Sequence, residues 1–259
     1  MKPPPFAYHR PRSREEVDRL LAELGPGAKV LAGGQSLIPI LNMRLAAPDH
    51  LVDLNFLEGE PAEPVLDGGA LAFGPLVRLR AAERSPLAVR QLPLLTQTLA
   101  HVAHPAIRSR GTLVGSIAHA DPAAELPALM ALLRGEARVR GANGKRTVPA
   151  AELFVAHLET SLEPGEWIEE VRLPAHEGGA FAEFARRRGD YALCGVAAIP
   201  GAVAFVGMGP VPERIEFGDP ADLPELIRER LEPEDDIHAT ARYRLWLAER
   251  LAARVLAWS

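Results

Sequence analysis

The residues best suited to chemistry in this 259-residue chain lie in two short stretches of glycines, hydroxyls and amides. The first, Leu31-Ala32-Gly33-Gly34-Gln35-Ser36-Leu37-Ile38, follows a short apolar run and leads into a segment with helical spacing. Its glycines let the backbone approach a bound group closely, so successive N–H groups can converge on an anion, with Gln35 and Ser36 as side-chain donors. The second, Gly111-Thr112-Leu113-Val114-Gly115-Ser116, repeats the arrangement of small residues and hydroxyls. A hydrogen bond to a charged oxygen contributes roughly 1.5–3 kcal/mol, so several together would hold a nucleotide tightly. Either stretch alone would be read as a plain turn, since neither carries the G-x-G-x-x-G or the G-x-x-x-x-G-K-[ST] spacing.

Other reactive side chains have simpler explanations. His101 and His104 stand three apart on a predicted helix, with no further ligand at metal spacing, so no metal site is assigned. Asp121 followed by Pro122 reads as the N-cap and first residue of a helix. Cys194 falls in an apolar strand and reads as a small hydrophobe. As the only cysteine, it excludes an internal disulfide, a C-x-x-C zinc site and a four-cysteine iron-sulfur cluster. Arg186, Arg187 and Arg188 read as a solvated run before a turn. No side chain is assigned as a catalytic acid, base or nucleophile.

The elements that must position the two stretches follow from periodicity. Ser13-Arg14-Glu15-Glu16 is a capping box opening an amphipathic helix through Val17, Leu20, Leu21 and Leu24. Lys29 to Ala32 and His50 to Leu54 read as strands, Leu37 to Leu41 as a helical turn, and the Pro-, Gly- and acid-rich Glu58 to Gly69 as a subdomain boundary. Pro93 to Val102 predicts a helix ended by Pro105. Glu136 to Arg140 and Lys145 to Val148 flank a Gly141-Ala142-Asn143-Gly144 hairpin turn, and Trp167 to Leu173 is a further strand. Ala180 to Phe184, Ala192 to Ile199 and Val203 to Val206 predict an antiparallel meander, with helices at Leu223 to Leu231 and Ala239 to Trp258. The order is irregular, which predicts an α+β chain. The formal net charge of −5, without a basic block, argues against a nucleic-acid partner. No apolar run suits a signal peptide or a membrane span, so a cytoplasmic location is expected.

Taken together, Leu31 to Pro39 and Arg110-Gly111-Thr112-Leu113-Val114-Gly115-Ser116-Ile117-Ala118-His119-Ala120-Asp121-Pro122 resemble the two FAD signatures of the molybdopterin dehydrogenase flavoprotein family, which includes the xanthine dehydrogenase and aerobic carbon monoxide dehydrogenase medium subunits. The resemblance extends through Pro5-Phe6-Ala7-Tyr8, Thr160-Ser161-Leu162-Glu163-Pro164-Gly165-Glu166, Arg187-Arg188-Gly189-Asp190-Tyr191 and Ala241-Arg242-Tyr243-Arg244, nearly the whole chain. It implies a two-part FAD-binding domain of the vanillyl-alcohol-oxidase-like type over 1–174, with subdomains at about 1–57 and 58–174, and a smaller C-terminal domain over 175–259.

By that resemblance Leu31 to Ile38 and Thr112 to Ser116 grip the FAD pyrophosphate, Leu162 and Tyr191 lie near the flavin ring, and Asp121 and Glu125 belong to the same site. It implies an oxidoreductase subunit, inactive alone, that takes electrons from a [2Fe-2S] partner beside a molybdopterin-containing subunit, in a dimer of heterotrimers. Four positions depart from the family pattern: Val114 and Ser116, where Val114-Gly115-Ser116 stands for Gly-Gly-Asn, Glu125 in place of an aspartate, and Glu183 in place of a lysine. Val114, Ser116 and Glu183 keep open a structural subunit that has lost FAD, and a free-standing flavin oxidase is the other alternative.

Overall fold

The computed structural model describes residues 2–257. The chain begins with alternating strands and helices: β1 (Ala7–His9), α1 (Arg14–Leu24), β2 (Ala28–Leu31), α2 (Leu37–Asn42) and β3 (His50–Asp53). The three strands form a parallel sheet in the order β1-β3-β2. Half of the predicted capping box forms in α1: the Ser13 side chain accepts from the Glu16 N–H, but the Glu16 carboxylate reaches one residue further back and accepts from the Arg12 N–H rather than from the Ser13 N–H. Val17 and Leu21 of α1 pack with Val52, Leu54 and Leu57 and, from far along the chain, Trp167.

The second unit contains β4 (Val65–Asp67), β5 (Ala70–Phe73), α3 (Leu79–Arg84), α4 (Pro86–Gln91), α5 (Pro93–Leu99), α6 (Pro105–Arg108), α7 (Leu113–His119), α8 (Glu125–Leu132), β6 (Glu136–Gly141), β7 (Gly144–Pro149), α9 (Ala150–Leu153), β8 (Phe154–Ala156), β9 (Glu159–Thr160) and β10 (Trp167–Pro174). Its sheet is antiparallel in the order β4-β5-β10-β6-β7, with β8 and β9 paired separately. The hairpin between β6 and β7 has the expected register, Arg140 opposite Lys145. The helix predicted over Pro93 to Val102 stops at Leu99, and Pro105 opens α6 rather than ending its predecessor. The ring fixes φ and lacks an N–H, which suits a first helical turn as well as a stop.

The last unit is the predicted meander, β11 (Ala180–Ala185), β12 (Ala192–Ile199) and β13 (Ala202–Val206), extended by β14 (Glu213–Glu216), α10 (Leu223–Arg230) and α11 (Ala241–Leu256). Trp258, expected in the last helix, lies outside the described residues. β12 is buried on both faces. Ala192 and Ala197 join the large central core with α5 and α8, whereas Cys194, Val196 and Ala198 join a second core with α10 and α11. Sheets covered by helices on both faces read as continuous apolar runs, which explains why β12 shows no alternation. The observed mixture of layers is the expected α+β architecture.

Candidate cofactor-binding site

The first glycine stretch is a loop between β2 and α2. Gly34 is left-handed with φ +71°, and the Ile38 N–H donates to the Gly34 carbonyl at 3.1 Å as α2 begins. Among the described residues, the backbone N–H groups of Gly33, Gly34, Gln35, Ser36 and Leu37 have no acceptor within the chain. Five successive donors without partners at a half-buried surface are the chemistry of an anion cradle. Gln35 folds back, its amide donating to the Gly33 carbonyl at 3.1 Å, so it braces the loop.

The second stretch is a helix start, not a second loop. Thr112 caps α7, its Oγ1 accepting from the Gly115 N–H at 3.0 Å. A Cβ at Gly115 would lie 2.6 Å from that Oγ1, so the glycine is required by the cap. Leu113 and Val114 turn their side chains into the central core, where both are buried. The bulk of Val114 therefore stays out of the site, and the N–H groups of Thr112 and Val114 also have no acceptor within the chain among the described residues. The Ser116 N–H bonds the Thr112 carbonyl at 3.1 Å.

The two stretches touch. A Cβ added to Gly33 would come within 2.6 Å of the Arg110 carbonyl oxygen and 2.7 Å of the Gly111 Cα. Arg78, which the motifs do not include, fastens this junction: its guanidinium donates to the Arg110 carbonyl and to Asn55 Oδ1. Asn55 in turn donates to the Ala32 carbonyl at 2.7 Å and to Asp53, which also accepts from the Tyr8 hydroxyl. Burial and the neighbouring Arg110 charge lower the Arg78 pKa, which marks a cation held at a basic junction. The only local sign of this network is the Asp53-x-Asn55 turn, where the Asp53 side chain accepts from the Asn55 N–H.

α7 leads from this junction to an acidic end. Seven residues at about 1.5 Å per residue separate the two by roughly 10 Å. Ala120 leaves the helix in the left-handed region, φ +53°, and Asp121 follows. Asp121 is not the N-cap of α8; Ala124 holds that place, and Asp121 Oδ1 accepts from the Ala123 N–H at 2.9 Å in a separate turn. An aspartate bonds its own backbone two residues on as readily as it caps a helix, so the pattern alone does not separate the two. Tyr191 is 64% exposed overall, and the partial burial of its hydroxyl, with the Asp121 carboxylate nearby, pushes the phenol up to about 12. Glu125 opens α8 with 7% exposure; burial first, then the charges of Glu183 and Asp121, raise its carboxyl to about 7 against a hydrogen bond from its own backbone N–H and the weaker pull of His101. Leu162 is half-buried against the central core, beside Ser161, whose buried hydroxyl has no partner among the described residues.

Thus Leu31, Ala32, Gly33, Gly34, Gln35, Ser36, Leu37 and Ile38 stand against Thr112, Leu113, Val114, Gly115 and Ser116, while Asp121, Glu125 and Tyr191 gather at the far end of α7. His101 and His104 have separate partners. His101 lies edge-on to Phe181 and pairs with Glu183, and His104 packs against Gly189. Cys194 is buried, which lifts its thiol to about 12 and leaves it inert.

Residues 4–176 match the family described as the FAD binding domain in molybdopterin dehydrogenase. The chain belongs to this family. The flavoprotein is 37% identical over 282 residues to the 6-hydroxypseudooxynicotine dehydrogenase complex subunit alpha of Paenarthrobacter nicotinovorans, covering 99% of this chain and 95% of that one. It is 33% identical over 285 residues to the carbon monoxide dehydrogenase medium chain of Hydrogenophaga pseudoflava, covering 100% and 99%. The solved quinoline 2-oxidoreductase of Pseudomonas putida 86 superposes with a TM-score of 0.90 at 36% identity, covering 99% of this chain and 97% of that one. The flavoprotein is therefore an oxidoreductase of the dehydrogenase-subunit type whose cofactor is FAD. The donor set fits that cofactor: partnerless N–H groups and an arginine at one end suit a pyrophosphate, and a mixed apolar and titratable end suits a ring system.

Proposed function

We propose that this flavoprotein is the electron-transfer subunit of a molybdenum hydroxylase complex, taking electrons from the [2Fe-2S] clusters of one partner, beside a molybdopterin-containing subunit, and passing them to an external acceptor. The observation that carries the reading is the junction at Gly33, where the N–H groups of Gly33 to Leu37 meet the capped start of α7. Leu31 to Ile38 and Thr112 to Ser116 would hold the pyrophosphate, Val114 through its main chain only. Leu162 and Tyr191 would border the ring, Asp121 would lie toward the ribityl or phosphate region, and Glu125 would belong to the same site. When bound, FAD supplies the redox chemistry, and the protein supplies binding, orientation and electrostatics.

Several observations support assembly into a complex, with a dimer of heterotrimers as the proposed form. The relatives are named as complex subunits or medium chains. A single cysteine leaves this chain unable to carry a four-cysteine cluster. Phe184, Tyr243 and Trp246 form an exposed aromatic patch on the last unit, with the Tyr243 and Trp246 rings stacked at 5.8 Å. Contiguous exposed apolar surface of this kind marks interaction sites. The division into 1–174 and 175–259 is supported by the extent of the family match and by the separate core between β12 and α11. Among the described residues no helix is long and apolar enough to cross a membrane, and a cytoplasmic location is proposed.

The test is a visible spectrum of the purified chain before and after titration with FAD. A flavin absorbance at one equivalent, with a [2Fe-2S] protein and a molybdopterin protein co-purifying from the native source, is the expected result. A chain that stays colourless in excess FAD overturns the flavoprotein role. Oxygen-dependent turnover by the chain alone would make it an oxidase.

A further inference from the structure

The end of α5 and the segment leading from β11 into its turn enclose an open cavity of about 260 Å³, lined by Ala100, His101, Glu183, Ala185, Arg187 and Arg188. Contacts on three sides fix its place in the fold. Ala185 pairs across the ladder with Ala192, the residue after Tyr191. The turn between them is pressed onto the loop after α5, since a Cβ added to Gly189 would lie 2.6 Å from the His104 ring and 3.1 Å from the Ala103 carbonyl oxygen. Arg108 ties that loop to α6, the helix leading to Arg110, by donating to the Val102 and Ala103 carbonyls at 2.9 and 3.1 Å. Within the sheet, Glu183, Gly195 and Val206 are neighbours on one face, where a Cβ on Gly195 would meet Val206 at 3.0 Å and Glu183 at 3.3 Å. The next residue, Gly207, donates its N–H to the Pro122 carbonyl at 2.8 Å, which joins the Asp121 turn to the end of β13. The cavity therefore stands beside Tyr191 and the Asp121 turn, at the ring end of the cofactor site.

The polar groups of the cavity are incompletely paired. Glu183 has its side chain only 6% exposed, and its Oε1 is 3.2 Å from His101 Nδ1. Its Oε2 is buried without a partner among the described residues. The guanidinium groups of Arg187 and Arg188, both exposed, also have no hydrogen-bond or ion-pair partner among the described residues. An unpaired buried carboxylate oxygen is costly, and an N–H donor entering the cavity relieves the cost. The arginines, which can only donate, call for acceptors beside that donor. An imide edge, one N–H between two carbonyl groups, has this pattern, and the pyrimidine part of a flavin ring carries such an edge at N3. We propose that Glu183 accepts the N3–H hydrogen bond of the flavin ring, with His101 holding the carboxylate in place and Arg187 and Arg188 toward the flanking carbonyl oxygens. The proposal rests on the flavoprotein reading and names a contact that neither glycine stretch supplies. Glu183 then counts toward cofactor binding. Its carboxylate also opposes negative charge added to the ring, because like charges at short range repel.

The experiment titrates the purified full chain with FAD and with FAD methylated at N3, followed by flavin fluorescence, for the wild type, Glu183→Ala and Glu183→Gln. A hydrogen bond to a charged acceptor is worth roughly tenfold or more in affinity, so methylation at N3 is expected to weaken binding to the wild type by about that factor. In Glu183→Ala the two compounds are expected to bind nearly alike, because the acceptor is gone and the methyl group has room. Near-isosteric Glu183→Gln keeps the fold, which circular dichroism verifies, and its bound flavin is expected to show a midpoint potential shifted to more positive values than in the wild type. A purely structural role for Glu183 would move neither the methylation difference nor the potential. A methylation penalty of equal size in the wild type and Glu183→Ala overturns the contact, as does an unchanged potential in Glu183→Gln. Equal uptake of both compounds by the wild type overturns the contact alone. A wild-type chain that takes up neither overturns the flavoprotein reading itself, and the contact falls with it.

Discussion

At the residue scale, glycine identity at the junction is dictated by distance. Gly33 has no space for a Cβ, because the Arg110 carbonyl and the Gly111 Cα already occupy it. Gly33→Ala is expected to separate the two stretches and to lower the bound flavin per chain at least tenfold, read from the visible spectrum, with little change in far-ultraviolet circular dichroism. Glu125 sets a pH dependence of stability. Its carboxyl is raised from 4.5 to about 7 in the folded chain, so the folded state binds the proton more tightly than the unfolded state. The stabilisation is fully present below pH 4.5 and is lost as pH rises through 7. At 1.36 kcal/mol per unit, a shift of about 2.5 units amounts to about 3 kcal/mol. Glu125→Gln does not titrate, so it gains on the wild type by about this amount between pH 4 and pH 8, measured by urea denaturation at each pH. A difference that does not change with pH would contradict the buried, raised carboxyl.

At the scale of elements, α1 is tied to the central sheet by buried charge as well as by apolar packing. Arg140 of β6 is 6% exposed and donates to Asp18, Glu15 and Glu169, while its guanidinium lies 5.8 Å from the centre of the Trp167 ring. Arg14 of α1 bonds the same Glu169 at 2.8 Å, and Trp167 donates to Asp18 at 2.9 Å. Removing one member of a buried ionic network leaves the others uncompensated, at a cost of about 3–5 kcal/mol. Arg140→Met is expected to show a loss of that size in equilibrium unfolding. A loss below about 1 kcal/mol would mean that apolar contacts alone hold α1 in place. The capping box of α1 was legible because its partners are three residues apart, whereas Arg14, Glu60, Glu169 and Arg140 come from four distant segments and have no local signature. Likewise, α7 was hidden: Thr112-Leu113-Val114-Gly115 carries the spacing of a glycine loop, and the burial of Leu113 and Val114 makes it a helix start.

At the scale of the molecule, the last unit is held from both sides. Phe181, Ala197, Ala204 and Val206 pack into the central core with Leu94, Leu95 and Leu129. A chain ending at residue 174 would expose those α5 and α8 side chains, and a fully buried leucine contributes roughly 1.5–3 kcal/mol. That fragment is therefore expected to aggregate or to bind a hydrophobic dye, whereas the full chain does not; a monomeric, dye-free fragment would show that residues 175–259 are dispensable for folding. The sequence by itself determined the α+β class, the capped first helix, the β6–β7 hairpin, the meander, and the two stretches that identify the family, because each is a local pattern of capping, alternation or glycine placement. Only the tertiary structure decided that the two stretches meet at Gly33, that Arg78 and Asn55 brace them, that Val114 turns away from the site, and that Glu183 pairs with His101. These facts depend on contacts between segments far apart in the chain. Packing selects such contacts, and neighbouring residues carry no record of them.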